Sequence, residues 1–217
     1  MCFSAGASFT SGVLLAFVGT ETLRKVHKPS QIVFAGIPLF FAFQQFAEGV
    51  LWTAMAHTGY SGLRKTATYV FVIMARVIWP LLIPLSVLLM EENKIRKRIL
   101  FALLGAGAAV ALYHLYCLIL YSIHAEISSR HIAYHSVVQD SLGKIALFVY
   151  LAATIVPLFI SSIKRMYILC VIMAISFMVS AVFYTRCLTS VWCFFAAVMS
   201  FVIFYIVRDA HKKFLLK

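Results

Sequence analysis

Seven apolar stretches of membrane-spanning length occupy most of this sequence and leave little chain for anything else. They cover residues 8–23, 31–55, 67–90, 99–123, 143–163, 166–184 and 188–207. About 20 apolar residues in a helix cross the hydrocarbon core, and in lipid only helices or closed barrels satisfy every backbone polar group. The predicted fold is therefore all-α: a polytopic membrane protein, a seven-transmembrane-helix bundle forming one domain over residues 1–217. With 63% hydrophobic and 12% charged residues, the chain lies far from a soluble domain, where the figures are roughly 45–50% and about 25%. No internal repeat and no Pro/Gly/Ser-rich linker divides it.

The basic residues orient the bundle. Thirteen of the 19 Lys and Arg fall on one side: Arg24, Lys25 and Lys28, the run Lys94–Arg98, Lys164 and Arg165, and four at the C-terminus. Five (Arg64, Lys65, Arg130, Lys144 and Arg186) fall on the other. Because cytoplasmic loops carry the basic excess, the N-terminus is expected outside and the C-terminus in the cytoplasm, in the plasma (inner) membrane. The net charge of +12 is then a property of loops facing lipid headgroups. The lipid bilayer is the expected partner, and nucleic acid is not. The first stretch is followed, not preceded, by basic residues, so it is expected to stay as a helix rather than to be cleaved as a signal peptide. Pro38, Pro80, Pro84 and Pro157 lie within spans, where a missing N–H frees a carbonyl.

An ionisable residue at a helix centre costs about 2.5–3.5 kcal/mol on insertion scales, so each needs a partner or a function. Glu48 in the second span, Arg76 in the third and His114 in the fourth fall roughly 10–13 Å below the outer ends at 1.5 Å per residue. Gln44, Glu48 and Trp52 recur at four-residue intervals beside Gln45, a polar stripe that must face protein. Gly107, Ala111 and His114 share a face of small residues, with Tyr113 and Cys117 beside it. The same depth count brings Ser11, Tyr150, Ser180 and Cys193 near this layer. Two readings follow: a Glu48–Arg76 staple that only sets helix register, or an outward-opening polar pocket with that pair in its floor. The candidate ligand-binding set is Gln44, Gln45, Glu48, Trp52, Arg76, Tyr113 and His114, together with Cys2, Trp192 and Cys193.

His131 and His135 form an HxxxH motif in the fourth-to-fifth connection, near His124, Glu126 and Asp140. On a helix this spacing puts two imidazoles on one face, but no clear third and fourth zinc ligand accompanies them. No metal is assigned there. Membrane hydrolases of the ceramidase and adiponectin-receptor type carry HxxxH in their last helix, whereas here the last segment has no His before His211. No Lys lies in the middle of that segment to form a retinal Schiff base. The five cysteines contain no CxxC, which argues against a disulfide exchanger. Cys2, Cys187 and Cys193 are expected near the outer face, where a disulfide could form.

Met1-Cys2-Phe3-Ser4-Ala5, Gln44-Gln45-x-x-Glu48-Gly49-x-x-Trp52, Trp79-Pro80 and Val191-Trp192-Cys193-Phe194-Phe195-Ala196-Ala197 together resemble a family of uncharacterised bacterial multi-spanning membrane proteins that begin with this pentapeptide. The resemblance covers most of the chain and implies an intact member; it brings no activity and no catalytic residues. Were Met1 removed, Cys2 would be an N-terminal thiol able to act as nucleophile or metal ligand, or simply a small apolar residue packing the outer end. Three functions remain open. The first is a receptor- or transporter-like protein holding a small polar or amphipathic ligand or ion. The second is an intramembrane enzyme, with Cys2 or a His-bound metal as reactive centre and Glu48 or His114 as general base. The third is a structural membrane partner.

Overall fold

The computed structural model describes residues 4–57, 59–128, 131–136, 141–163 and 165–215. Helices α1 (Ala5–Arg24) and α2 (Ile32–Met55) are joined through a 3-10 turn at Pro29–Gln31. Helices α3 (Ser61–Ile73) and α4 (Trp79–Met90) are joined without a break by a π-helical turn at Met74–Ile78, and α5 (Lys94–Leu120) returns. A hairpin of β1 (Ile123–Ser128) and β2 (His131–Ser136) precedes α6 (Ser141–Ile160) and α7 (Met166–Phe183). A 3-10 turn at Thr185–Cys187 leads into α8 (Leu188–Val198) and α9 (Ser200–Leu215).

Six of the described helical runs are long and apolar enough to cross a membrane: Pro29–Met55, Ser61–Met90, Lys94–Leu120, Leu142–Ile160, Met166–Phe183 and Thr185–Ala210. Helix α1 is not among them, because Thr20, Glu21 and Thr22 dilute its apolar content. The exterior is greasy and the interior partly polar. Phe17, Phe101, Leu112, Ile119, Phe148 and Phe159 are exposed, while Gln44, Gln45, Glu48, Ser86, Ser180 and Ser190 are buried. That inversion suits lipid as the solvent, since apolar surface costs nothing there and polar groups must find partners inside.

Small residues set the closest approaches. A Cβ at Gly12 would press on the Phe46 ring, one at Gly19 on Leu39, and one at Gly49 on Phe9, so α1 lies directly along α2. On α5, Gly107 sits against the Pro80 carbonyl of α4, which a Cβ would overlap. The carbonyl is there because Pro84, four residues on, has no N–H to occupy it. At the end opposite the hairpin, Asn93 caps α5 by accepting from the Ile95 and Arg96 amides at 3.0 and 3.1 Å. Glu91 beside it accepts from Ser162 N at 2.8 Å, Ser162 Oγ at 2.8 Å, Asn93 N at 2.9 Å and Glu92 N at 3.1 Å. One carboxylate thereby ties the α4–α5 turn to the α6–α7 turn.

The hairpin corrects the reading of the fourth span as reaching residue 123. The helix ends at Leu120, and Ile123 already belongs to β1. Its buried residues face the bundle: Ala125 and Ile132 pack on Leu51 and Ala67, and Ala133 packs on Cys187 and Val191. Tyr134 stacks on Phe71 at 4.8 Å between ring centroids, and Arg64 Nη2 donates to the Ala125 carbonyl at 2.7 Å. The sheet thus caps one end of the bundle over α2, α3 and α8.

Candidate functional site

The π turn that joins α3 to α4 builds the site. The Trp79 amide bonds the Met74 carbonyl, one residue beyond the α-helical partner, so the Ala75 carbonyl loses its α-helical donor. The next amide in the π pattern would be that of residue 80, which is a proline with no N–H. Tyr150 Oη from α6 donates to the Ala75 carbonyl instead, at 2.6 Å. Arg76 lies inside this turn, where an ordinary helical wheel no longer gives its direction.

Beside the π turn lies a cavity of ≈ 430 Å³ lined by residues of five long helical runs and the hairpin. Its walls carry Arg76, Tyr113, His114, Cys117, Tyr150, Phe177, Thr189, Trp192 and Cys193, and its rim Tyr134, His135, Thr185 and Arg186. His135, Thr185 and Arg186 are exposed whereas Tyr150, Trp192 and Cys193 are buried, so the cavity descends from the hairpin end into the bundle. One wall is a chain of aromatic contacts: His114 to Tyr150 at 6.4 Å, Tyr150 to Trp192 at 5.8 Å and Trp192 to Phe177 at 5.2 Å. Trp192 is 8% exposed, and its Nε1–H has no acceptor among the described residues. A smaller void of ≈ 20 Å³, room for about one water, shares Tyr150, Trp192 and Cys193 with this chamber and continues between Phe41, Trp79, Ile83 and Met173.

Behind Cys193 lies a second polar group that does not line the chamber. Trp79 Nε1 donates to Gln44 Oε1 at 2.8 Å, Gln44 Nε2 to Cys193 Sγ at 3.1 Å, and Ser190 Oγ to Glu48 Oε1 at 2.6 Å. These bonds join α2, α4 and α8. Gln45 is also fully buried, and neither of its amide atoms has a hydrogen-bond partner among the described residues. Trp52 is half-buried beneath the hairpin, packed near Leu51 and Ile132.

The expected set therefore divides in two. Arg76, Tyr113, His114, Trp192 and Cys193 come together around one cavity. Gln44, Gln45 and Glu48 form or adjoin the buried node behind it, Trp52 belongs to the hairpin contact, and Cys2 lies outside the described residues. The Glu48–Arg76 ion pair is not formed. The ion pairs among the described residues include Arg24–Glu21, Lys28–Glu92, His135–Glu126 and Arg165–Asp209, and none of these involves Arg76. Glu48 instead takes the Ser190 hydroxyl on α8, because its face of α2 meets α8 and not the π turn. Cys187 and Cys193 are free thiols.

Residues 131 and 135 lie on a strand, not a helix. At about 3.3 Å per residue their Cα atoms are ~13 Å apart, beyond the span of two imidazoles on one ion. His131 packs edge-on against Tyr184 at 5.1 Å, and His135 Nε2 meets Glu126 Oε1 at 2.6 Å. No group of three or more His, Cys, Asp or Glu side chains placed to hold a metal occurs among the described residues. Arg186, Tyr134, His135 and Phe177 were absent from the expected set. Arg186 carried a signal, being a lone basic residue just before the last span.

Comparison with curated proteins and with solved structures returns no match. The sequence profile of one family covers residues 1–215, nearly the whole chain, and the protein belongs to it: a family of unknown function (DUF6629).

Proposed function

We propose that this chain is a receptor- or transporter-like protein of the plasma (inner) membrane, with the chamber beside the π turn holding a small polar or amphipathic ligand or ion. The observation that carries the reading is the chamber itself. Its ≈ 430 Å³ lies in the range of small-molecule sites, and it combines an apolar aromatic wall with a few convergent polar groups, the usual make-up of such sites. A π turn that breaks helical regularity at Arg76 supports the same reading, since such turns recur at functional sites.

In this proposal α1 is the seventh span. Its 20 residues reach ~30 Å at 1.5 Å per residue, and Val13, Leu14 and Phe17 turn outward to lipid while Gly12 and Gly19 seat it on α2. The N-terminus is outside and the C-terminus cytoplasmic, which puts the hairpin and the chamber mouth on the outer side, where only five basic residues fall. Reporter fusions after Lys28, Arg98 and Lys217 are expected to read cytoplasmic; an external reading at Lys217 would overturn the orientation.

Native mass spectrometry of the protein released from its membrane in neutral detergent tests the binding reading. The wild type is expected to retain a bound small molecule, and Thr189→Trp, which projects an indole into the chamber, is expected to release it. Equal retention by both proteins would place the ligand elsewhere and overturn the reading.

A further inference from the structure

We infer that the ligand of this chamber is an anion: a carboxylate or phosphate group seated at Arg76, with its apolar part against the Tyr150–Trp192–Phe177 wall. The inference rests on the binding reading above and names the chemical class that the site selects.

Charge bookkeeping carries it. The chain has seven Asp and Glu, and six are described. Glu21, Glu92, Glu126 and Asp209 are in ion pairs with Arg24, Lys28, His135 and Arg165. Glu91 is held at the far end by Ser162, Asn93 and Glu92. Glu48 is bonded to Ser190 in the node behind Cys193. The seventh, Asp140, lies outside the described residues. Among the described residues, then, no carboxylate reaches Arg76, although its position deep in a span makes an uncompensated charge expensive.

The rest of the lining points the same way. Two guanidiniums, Arg76 and Arg186, face the chamber, and no described carboxylate or amide side chain does. Arg is a donor only, with planar geometry suited to oxyanions. A cationic ligand would leave both guanidiniums unanswered, and a neutral one, even with an oxygen to accept from them, would leave their charge uncompensated. An anion answers both, and the aromatic wall receives the remainder of the molecule. The exposed Arg186 stands at the mouth, where it would attract the same sign of charge before entry.

Titration calorimetry on the full chain in neutral maltoside micelles tests this with five probes: octanoate, octyl phosphate, octanol, octyltrimethylammonium and inorganic phosphate. Octanoate and octyl phosphate are expected to bind the wild type about tenfold or more tighter than octanol, a ratio in keeping with a desolvated charge-assisted pair. Arg76→Gln should remove that advantage and leave octanol unchanged. Arg186→Gln, at the exposed mouth, repeats the test without disturbing the buried charge and is expected to cost about threefold. Inorganic phosphate binding as tightly as octyl phosphate would overturn the apolar half of the proposal. Octanol or the ammonium probe matching octanoate would overturn the anion class while leaving the binding reading intact. Loss of all binding from the wild type, with Thr189→Trp indistinguishable from it, would instead mean that the binding reading itself has failed.

Discussion

Gly107 lies directly against the carbonyl oxygen of Pro80, so closely that a single Cβ at position 107 would overlap it. The contact exists because Pro84 leaves that carbonyl without its helical donor, and only a residue with no side chain lets α5 come close enough to cover it. Gly107→Ala must push α5 away from α4 and is expected to cost about 1–3 kcal/mol, the usual range for overpacking. Gly105→Ala, two residues earlier with open space around it, should be neutral or stabilising by up to about 1 kcal/mol. Thermal unfolding in detergent compares the two; equal shifts would show that α4 and α5 are not in close backbone contact.

The Tyr150–Ala75 hydrogen bond gives a sharper test of the π turn. Tyr150→Phe is expected to destabilise by about 1–3 kcal/mol, because it strands a buried carbonyl. Pro80→Ala supplies an N–H at residue 80, where a π pattern would deliver it to Ala75. In that background the cost of Tyr150→Phe should fall, with a coupling of about 0.5–3 kcal/mol. Additive effects would mean that the Ala75 carbonyl is satisfied in some other way.

At the opposite end, Glu91 predicts a pH dependence. Burial pushes its carboxyl upward, but the hydrogen bonds from the Ser162 and Asn93 amides, the Ser162 hydroxyl and the Glu92 amide outweigh it and hold the group below its ordinary value. A depressed folded-state pKa contributes stability that is fully present above the unfolded value of about 4.3 and is lost as pH falls through the folded value. Unfolding of the wild type should therefore become easier in that acidic window, and Glu91→Gln should be about 1–3 kcal/mol less stable at neutral pH with a flatter acid limb. An unchanged acid limb in the variant would remove Glu91 as its source.

The buried node makes a prediction about pairs. A double-mutant cycle on Glu48→Gln and Ser190→Ala should show coupling on the order of 0.5–3 kcal/mol, whereas Glu48→Gln and Arg76→Gln should add within about 0.5 kcal/mol. Strong Glu48–Arg76 coupling would mean that the two charges share an environment the hydrogen bonds do not reveal.

The helical runs were legible because span length and apolar content are properties of the chain itself, and so was the inward face of α2, whose amide–carboxylate stripe cannot face lipid. What depth counting could not supply was azimuth. Glu48, Arg76 and His114 were placed at similar heights, but height along a helix does not say which neighbour a side chain meets around the bundle. Glu48 met Ser190. The π turn was equally hidden, since Met74–Ile78 reads as ordinary helix and only the packing of Tyr150 on the Ala75 carbonyl favours the extra residue. Pro80 carried half of that signal. The hairpin has a weak alternating pattern in Ile123-His124-Ala125-Glu126, yet the two residues between its strands, Ser129 and Arg130, include none of the Gly or Asn that mark a tight hairpin turn. HxxxH would pair its imidazoles only on a helix, and no metal was assigned to it in its connection; on the strand the same four-residue step separates the imidazoles.

The chamber and the charge of Arg76 meet in one direct measurement: a density map of the full chain in nanodiscs formed from its own membrane, without exchange into detergent. The account predicts non-protein density on the Trp192 wall, ending within hydrogen-bond reach, about 3 Å, of the Arg76 guanidinium. A chamber filled only by water, with Arg76 turned onto a carboxylate of the chain itself, would contradict it.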